Sequence, residues 1–372
     1  MLQVAELLHA LWTNLDLVRY VAPPMSRLSV PLLLLASCAP ALVQADQFSW
    51  QLSGGTLQSS YGNYRDTDRS SIDATYYFDP VDDTRSPYAL APFLDPATQI
   101  GASVGRDRQT VPIAVSVFAP NDPSEFVMTT HDYTVAGRYV LPASRWYAGG
   151  RYTKSDIDPP SPSTNEKTDA NAYGVVAGKY LGPNTTLDLT ANRSSQTLHQ
   201  SLRLCLLFGG CVNQPFETKN TSGELGLGFE HVRRLEKLPY SLSGRVLQTS
   251  AGSETRFFPV SLPPSGGIGV PVGGIFVGVN PKATPFALGI TLPRYWTYSF
   301  AGEVFPTRKL GVRLGYTYVD HDIGPEATYD VAATWFFRRN VGMQVVWSHA
   351  ETRYPNLRVD EDGYAVRFVG RL

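Results

Sequence analysis

An alternation of period two, repeated from residue 46 to the C-terminus, constrains the fold of this chain more than any other feature. In Leu310–Tyr318 every second residue is apolar, whereas the residues between them are glycines, Arg313 and Thr317. Successive side chains of a β-strand point to opposite faces, so this segment predicts a strand with one apolar face and one charged face. A soluble β-sandwich would bury Arg313 in its core only at severe cost. The pattern therefore favours a strand with lipid on one face and water on the other.

Aromatic residues lie at the ends of these apolar faces, and smaller aliphatic residues lie between them. The face that runs from Tyr329 to Phe337 has Val331 and Ala333 in its middle and Trp335 near its end. Aromatic rings prefer the membrane interfaces and aliphatic side chains prefer the hydrocarbon. No apolar run reaches the length of about 18 residues that would indicate a membrane-spanning helix. The sequence thus predicts an all-β fold, a transmembrane antiparallel β-barrel.

The number of strands follows from counting the alternating segments. An even number places both termini in the periplasm, where connections are short, whereas the external loops are long. Val111–Phe118 would be a further strand, so twelve and sixteen strands are the alternatives to about fourteen. One connection, Asp79–Thr98, is long although it falls on the periplasmic side. The predicted strands are Gln47–Tyr61, Ser70–Phe78, Gln99–Arg106, Asp132–Leu141, Trp146–Lys154, Ala170–Leu181, Thr186–Arg193, Gly223–Arg233, Tyr240–Ala251, Tyr295–Phe305, Leu310–Asp320, Ala327–Phe337, Asn340–His349 and Gly363–Leu372.

The N-terminal region carries the pattern of a secretory signal peptide. In Met25–Ala45 a positive residue precedes a short apolar core, and Val43 and Ala45 are the small residues that a cleavage site requires. We therefore expect residues 1–24 to be an upstream extension, residues 25–45 to be the signal peptide, and residues 46–372 to be the barrel. Leu35–Cys38 also fits a lipoprotein cleavage site, so Cys38 is either lipidated or removed with the signal peptide.

The C-terminal segment Gly363–Leu372 alternates in the same way as the other predicted strands. Outer-membrane barrels generally end in such a strand, whose terminal aromatic residue is read by the barrel-assembly machinery. Leu372 stands where that residue is usually Phe. We expect export through the periplasm, insertion by this machinery, and contact with outer-membrane lipid and lipopolysaccharide.

Two cysteines follow the predicted signal peptide, Cys205 and Cys211. They are separated by five residues, and in the oxidising periplasm a disulfide that closes this small loop is expected. A zinc site would need more ligands than this stretch contains.

The stretch Thr75–Val81, which reads TYYFDPV, and Pro87–Leu94, which reads PYALAPFL, resemble a signature of the putative general porins of proteobacteria. In that family a YYF-x-PV strand end leads into a periplasmic segment of the form P-Y/L-x-x-A-x-FL. The match covers some twenty positions and implies an outer-membrane channel. It supplies no catalytic residues.

Charged residues on the polar faces of the predicted strands should line the lumen. Both signs occur in similar number, which keeps a lumen hydrated and gives weak charge selectivity. We therefore expect a porin, a passive diffusion channel for small polar solutes and ions. Two loops could narrow its mouth, the apolar Gly252–Arg294 and the segment between the two cysteines. The expected lumen residues are Arg138, Arg151, Arg245, Arg313, Arg367, Glu224, Glu303 and Asp330.

Other functions are weighed against the channel. The main alternative is an adhesin, an assembly protein or a receptor barrel whose pore is plugged, with Gly252–Arg294 as the plug. A barrel enzyme is disfavoured, because none of the 6 His lies in a recognisable Ser–His motif. We expect no catalytic residue, metal or cofactor, and the net charge of −1 gives no reason to expect nucleic acid binding. The sequence leaves the solute, the pore size and the oligomeric state open.

Overall fold

The computed structural model describes residues 47–61, 65–82, 84, 87–112, 125–158, 168–206, 210–235, 238–257, 269–272, 275–278, 286–320, 324–354 and 357–372. The predicted signal peptide, the extension before it and Cys38 lie outside these residues, so their assignments stay predictions. Most of the predicted barrel lies within them.

Almost all of the described chain is in β-strands joined by turns, and its helical residues lie in a short segment between β2 and β3. That segment contains a 3-10 turn, Tyr88–Leu90, and one turn of α-helix, α1, Ala91–Leu94. No helix in the part of the chain that the structure describes is long and apolar enough to cross a membrane. The strands are β1 Gln47–Tyr61, β2 Arg65–Asp82, β3 Gln99–Pro112, β4 Glu125–Leu141, β5 Trp146–Asp158, β6 Thr168–Tyr180, β7 Thr185–Leu206, β8 Gly210–Leu235, β9 Leu238–Phe257, β10 Gly269–Val272, β11 Ile275–Gly278, β12 Phe286–Val304, β13 Leu310–Asp320, β14 Glu326–Arg338, β15 Val341–Tyr354 and β16 Leu357–Arg371.

Fourteen of these strands form one closed antiparallel barrel, as the sequence predicted. Each strand pairs with its neighbours in the chain, β9 pairs with β12, and β1 closes the wall by pairing with β16. The first and last strands meet with Gln51 opposite Arg371, at the end where the connections are short. We call this the periplasmic end, following the rule for outer-membrane barrels. Strands β10 and β11 form a separate hairpin.

In β13 and in the strands beside it, residues predicted to face lipid lie on the outer face of the barrel, and residues predicted to face the lumen lie on the inner face. Leu314 is 62% exposed on the outer face. On the inner face of the same strand, the hydroxyl of Thr317 donates to that of Ser299 on β12 at 3.1 Å. The outer rings also contact each other between strands, as Tyr316 and Tyr329 do with centroids 5.1 Å apart. The barrel therefore presents an apolar, partly aromatic exterior that suits lipid.

Several strands continue farther at the outer end than the sequence predicted. Ser194–Ser222 was expected to be a loop, but β7 and β8 run through it and pair as far as Leu206 with Gly210. The prediction was wrong because it assigned a strand only where one face of the segment is apolar. Beyond the membrane both faces meet water, so the alternation ends while the backbone hydrogen bonds continue. The ends of Gly252–Arg294 are likewise parts of β9 and β12. Beyond Pro112, the additional strand considered in Val111–Phe118 lies outside the described residues.

Candidate permeation pathway

Strand alternation places all eight predicted lumen residues on the inner face of the barrel wall. Three of the arginines are paired with carboxylates on other strands. Arg367 lies 3.1 Å from Asp73 and donates to the Ser53 hydroxyl at 2.7 Å. The role of these residues in permeation stays a prediction, but their charges are already partly neutralised by the wall itself.

The other two pairs are longer. Arg313 lies 3.8 Å from Asp330, and Arg245 lies 4.0 Å from Asp188. Asp188 also accepts a hydrogen bond of 3.3 Å from the hydroxyl of Tyr147. The first pair joins the neighbouring strands β13 and β14, and the second joins β9 to β7 across β8, so each holds opposite charges together at the lumen surface.

The remaining four predicted residues have different surroundings. Glu224 accepts a hydrogen bond of 2.9 Å from Asn192. Glu303 lies against the wall at Gly311, where an added Cβ would clash with its carboxylate. The Arg138 guanidinium lies over the Tyr147 ring, 5.7 Å from its centroid. Among the described residues, no carboxylate lies within 4.0 Å of Arg138 or Arg151.

Glycines on the inner face let the larger lumen side chains lie flat against the wall. The Tyr147 ring covers Gly178, where an added Cβ would lie 2.4 Å from the ring. The Asp330 carboxylate covers Gly315 in the same manner, 2.1 Å from such a Cβ. Fourteen strands spaced about 4.8 Å apart and tilted by about 40° enclose a backbone cylinder roughly 28 Å across. Side chains that lie along the wall leave space near the axis of this cylinder.

The periplasmic mouth of the barrel is crossed by Pro87–Leu94, which we call the periplasmic plug. Its course is fixed at both ends by hydrogen bonds. The Asp82 amide donates to the Asp95 carboxylate at 2.7 Å, and the Tyr88 amide donates to the Arg308 carbonyl at 3.0 Å, in the turn after β12. Pro92 lies in the first turn of α1, where the missing amide hydrogen would have no partner in the helix.

The plug packs against both sides of the mouth. Ala91 is fully buried in a cluster with Phe48, Tyr77 and Val81 of β1 and β2. On the far side, Leu90 packs with Val232 and Phe305, at the ends of β8 and β12. The plug therefore spans the mouth and narrows it with apolar side chains.

Aromatic contacts extend the plug around the rim. The Phe93 ring lies 6.1 Å from that of Tyr180 on β6, and the Tyr88 ring meets Phe336 on β14 edge to face at 5.9 Å. Such pairs add to the gain from burying apolar surface. The plug is thus held to strands all around the barrel.

Arg371 fixes the plug from the last strand. It is 3% exposed, and its guanidinium lies 4.6 Å from the Phe48 ring centroid and 4.9 Å from that of Phe336. It donates to the Gln51 side chain at 3.2 Å and to the Tyr88 carbonyl at 2.5 Å. We call Arg371 with Phe48, Phe336 and Gln51 the Arg371 cluster. A buried cation with these partners ties β1, β14, β16 and the plug together.

Sequence reasoning did not identify the plug. The available signal was the length and apolar character of Asp79–Thr98 at an end where connections are otherwise short. The side chains of the segment between the two cysteines, and those of residues 257–288 within Gly252–Arg294, lie outside the described residues, so the narrowing of the mouth by these loops stays a prediction. In the backbone register Cys205 lies directly opposite Cys211, and the disulfide itself stays a prediction.

Solved structures share this architecture at low sequence identity. A deltaS2S3 mutant of the monoaromatic hydrocarbon channel TodX has a TM-score of 0.52 and 10% identity, over 88% of this chain and 90% of that one. The toluene transporter TbuX of Ralstonia pickettii has a TM-score of 0.52 and 10% identity, over 87% and 90%. The outer membrane protein Omp33 of Acinetobacter baumannii covers 88% of this chain at 13% identity, with a TM-score of 0.46.

No protein-family model matches the chain, and no curated protein matches it in sequence. At these identities the structural likeness shows the fold alone. The closed antiparallel wall and its apolar exterior are those of an outer-membrane β-barrel.

Proposed function

We propose that the protein is a porin of the Gram-negative outer membrane, a passive diffusion channel for small polar solutes and ions. The observation that carries this proposal is the lumen itself. Its wall bears charged and polar groups such as Glu224, Asn192 and Arg151, and several larger side chains lie flat over inner-face glycines. A hydrated lumen of this kind conducts polar solutes without a dedicated carrier step.

The plug limits the size of the solutes. Because Leu90 and Phe93 reach strands on the far side of the mouth, solutes must pass between the plug and the wall. Weak charge selectivity follows from the three arginine–carboxylate pairs, which cancel much of the fixed charge. The resemblance of Thr75–Val81 and Pro87–Leu94 to the putative general porins supports the same function.

Planar-bilayer recording tests the proposal. The purified, refolded barrel should give ion currents whose reversal potential in a salt gradient deviates only slightly from zero. Swelling of liposomes that contain the protein should occur with small sugars and fall as the sugar size increases. A folded barrel, verified by its heat-modifiable migration, that gives neither current nor swelling would contradict the channel.

The plug also supports a second candidate, a receptor or assembly barrel that is closed at rest. In that case the wild-type protein would be silent in both assays, and a variant without the plug would conduct. The two functions therefore predict opposite results for the wild-type chain.

A further inference from the structure

Two lumen arginines, Arg138 on β4 and Arg151 on β5, differ from the other predicted lumen arginines because no carboxylate of the described residues lies within 4.0 Å of them. In the strand register Ala136 lies opposite Arg151, and Arg138 lies opposite Gly149. The two arginines are therefore diagonal neighbours on the inner face, about 7–8 Å apart at the backbone. Side chains as long as arginine can converge on one small ligand across that distance.

Two carboxylates of the neighbouring wall, Asp188 and Asp132, contact other side chains, although the Oδ1 of Asp188 has no hydrogen-bond partner among the described residues. Asp188 accepts from Tyr147 and lies 4.0 Å from Arg245. Asp132 accepts from Ser155 at 2.5 Å and lies 3.7 Å from Arg69. Glu230 on β8 faces the same region, but in the described part of the chain it lies beyond 4.0 Å from any arginine. The positive charges of Arg138 and Arg151 are thus available to a solute.

Unsatisfied hydrogen-bonding groups occur at the same place. The Arg138 Nε and the Tyr180 hydroxyl are both buried without a hydrogen-bond partner among the described residues. Buried polar groups without hydrogen-bond partners are unfavourable. A solute with hydrogen-bond acceptors that binds here would provide a partner for the Arg138 guanidinium. A carboxylate is the natural partner, because it accepts paired hydrogen bonds from a guanidinium.

The site lies at the inner edge of the plug. Phe93 of the plug contacts the Tyr180 ring, the Tyr147 ring lies 5.4 Å from that of Tyr180, and Arg138 lies over Tyr147. A solute that approaches the narrowed mouth therefore meets these two arginines.

We propose that Arg138 and Arg151 bind the carboxylate of small organic acids at the inner edge of the plug. The inference deepens the channel function proposed above and rests on it for how the acid arrives. Binding itself does not require conduction, so the two proposals are tested separately.

The test is an NMR titration of ¹³C-labelled acetate with the folded barrel in detergent. Exchange broadening of the acetate signal reports weak binding directly. The test variant is Arg138→Gln with Arg151→Gln, and the charge-matched control is Arg245→Gln with Arg313→Gln. We expect broadening with the wild type and with the control, and an affinity at least about tenfold lower for the test variant because its guanidinium donors are gone.

Equal loss in both double variants would overturn the proposal, because acetate would then respond to net lumen charge and not to this pair. Undiminished broadening with the test variant would overturn it as well. If Arg138→Gln prevents folding, Arg151→Gln alone and the charge-preserving Arg138→Lys with Arg151→Lys provide the same comparison, with weakened binding expected in each. A wild-type barrel that binds acetate but carries no current would contradict the channel function and leave this site intact.

Discussion

The two ends of the barrel are built from the same fourteen strands but differ in how their side chains are packed and exposed to water. At the periplasmic end the inner face carries buried apolar residues, including Phe305 at 1% and Phe336 at 2% exposure, and the plug packs on them. At the outer end the strands continue into water and carry exposed ion pairs, such as Arg358 with Asp360 at 3.1 Å and Lys154 with Asp156 at 3.1 Å. Exposed pairs contribute little stability, whereas packed apolar groups contribute much. The contrast places the dense packing at the periplasmic end, where the channel proposed above would be narrowest.

The strongest test of this contrast is removal of the plug. Replacing Pro87–Leu94 by a Gly-Ser linker of equal length should raise the single-channel conductance several-fold, because the apolar obstruction at the mouth is gone. Planar-bilayer recording measures the change.

The matched control replaces Pro355 and Asn356, which connect β15 to β16 in the sequence, with Gly and Ser. Its conductance should equal that of the wild type. Equal conductance in all three proteins would place the main resistance away from the plug.

Stability should show the same asymmetry. Phe305→Ala should lower the free energy of unfolding by about 3–5 kcal/mol, since it leaves a cavity in the cluster that holds Leu90. Arg358→Ala at the outer end should cost about 1 kcal/mol or less, because its ion pairs are exposed to water. Urea titration in detergent, followed by tryptophan fluorescence, measures both; similar losses would remove the distinction between the ends.

A smaller effect is expected from the Arg371 cluster. Arg371→Gln removes two cation–ring contacts, each worth about 0.5–2 kcal/mol, so the plug should leave the mouth more often. Single-channel records should show more frequent openings than in the wild type, without a change in the fully open level. Arg367→Gln, on the same face of β16, changes the charge equally but does not touch the plug, and should leave the opening frequency unchanged.

The smallest effect concerns the lumen between the two ends. Replacing both members of one pair, Arg313→Gln with Asp330→Asn, leaves the net charge of the wall unaltered, and the reversal potential in a salt gradient should stay where it was. A clear shift would show that the two groups act on permeating ions separately.

The sequence was most informative where lipid dictates the pattern. Leu310–Asp320 was predicted with both ends correct, because an apolar face against lipid and a polar face against water leave little freedom in a strand. At the outer end this constraint disappears. The strands that pair His199 with Glu217 therefore have the sequence pattern of a loop, although their backbones are hydrogen-bonded.

The lumen was predicted in part. Alternation alone places Arg245 and Arg367 on the inner face, but their partners depend on the registers of several strands. Asp188 on β7, for example, contacts both Tyr147 on β5 and Arg245 on β9. The plug was missed for a related reason, since its contacts with Val232 and Phe336 connect positions far apart in the chain.

The composition of the Arg371 cluster has a consequence for biogenesis. Its members come from β1, β14 and β16, and β1 meets β16 only when the wall closes. A sheet in which β1 has not paired with β16 therefore lacks this cluster, whereas the contacts of Leu90 and Phe93 with the wall do not involve that seam. The Arg371 cluster is consequently the part of the plug's attachment that forms only when the barrel closes.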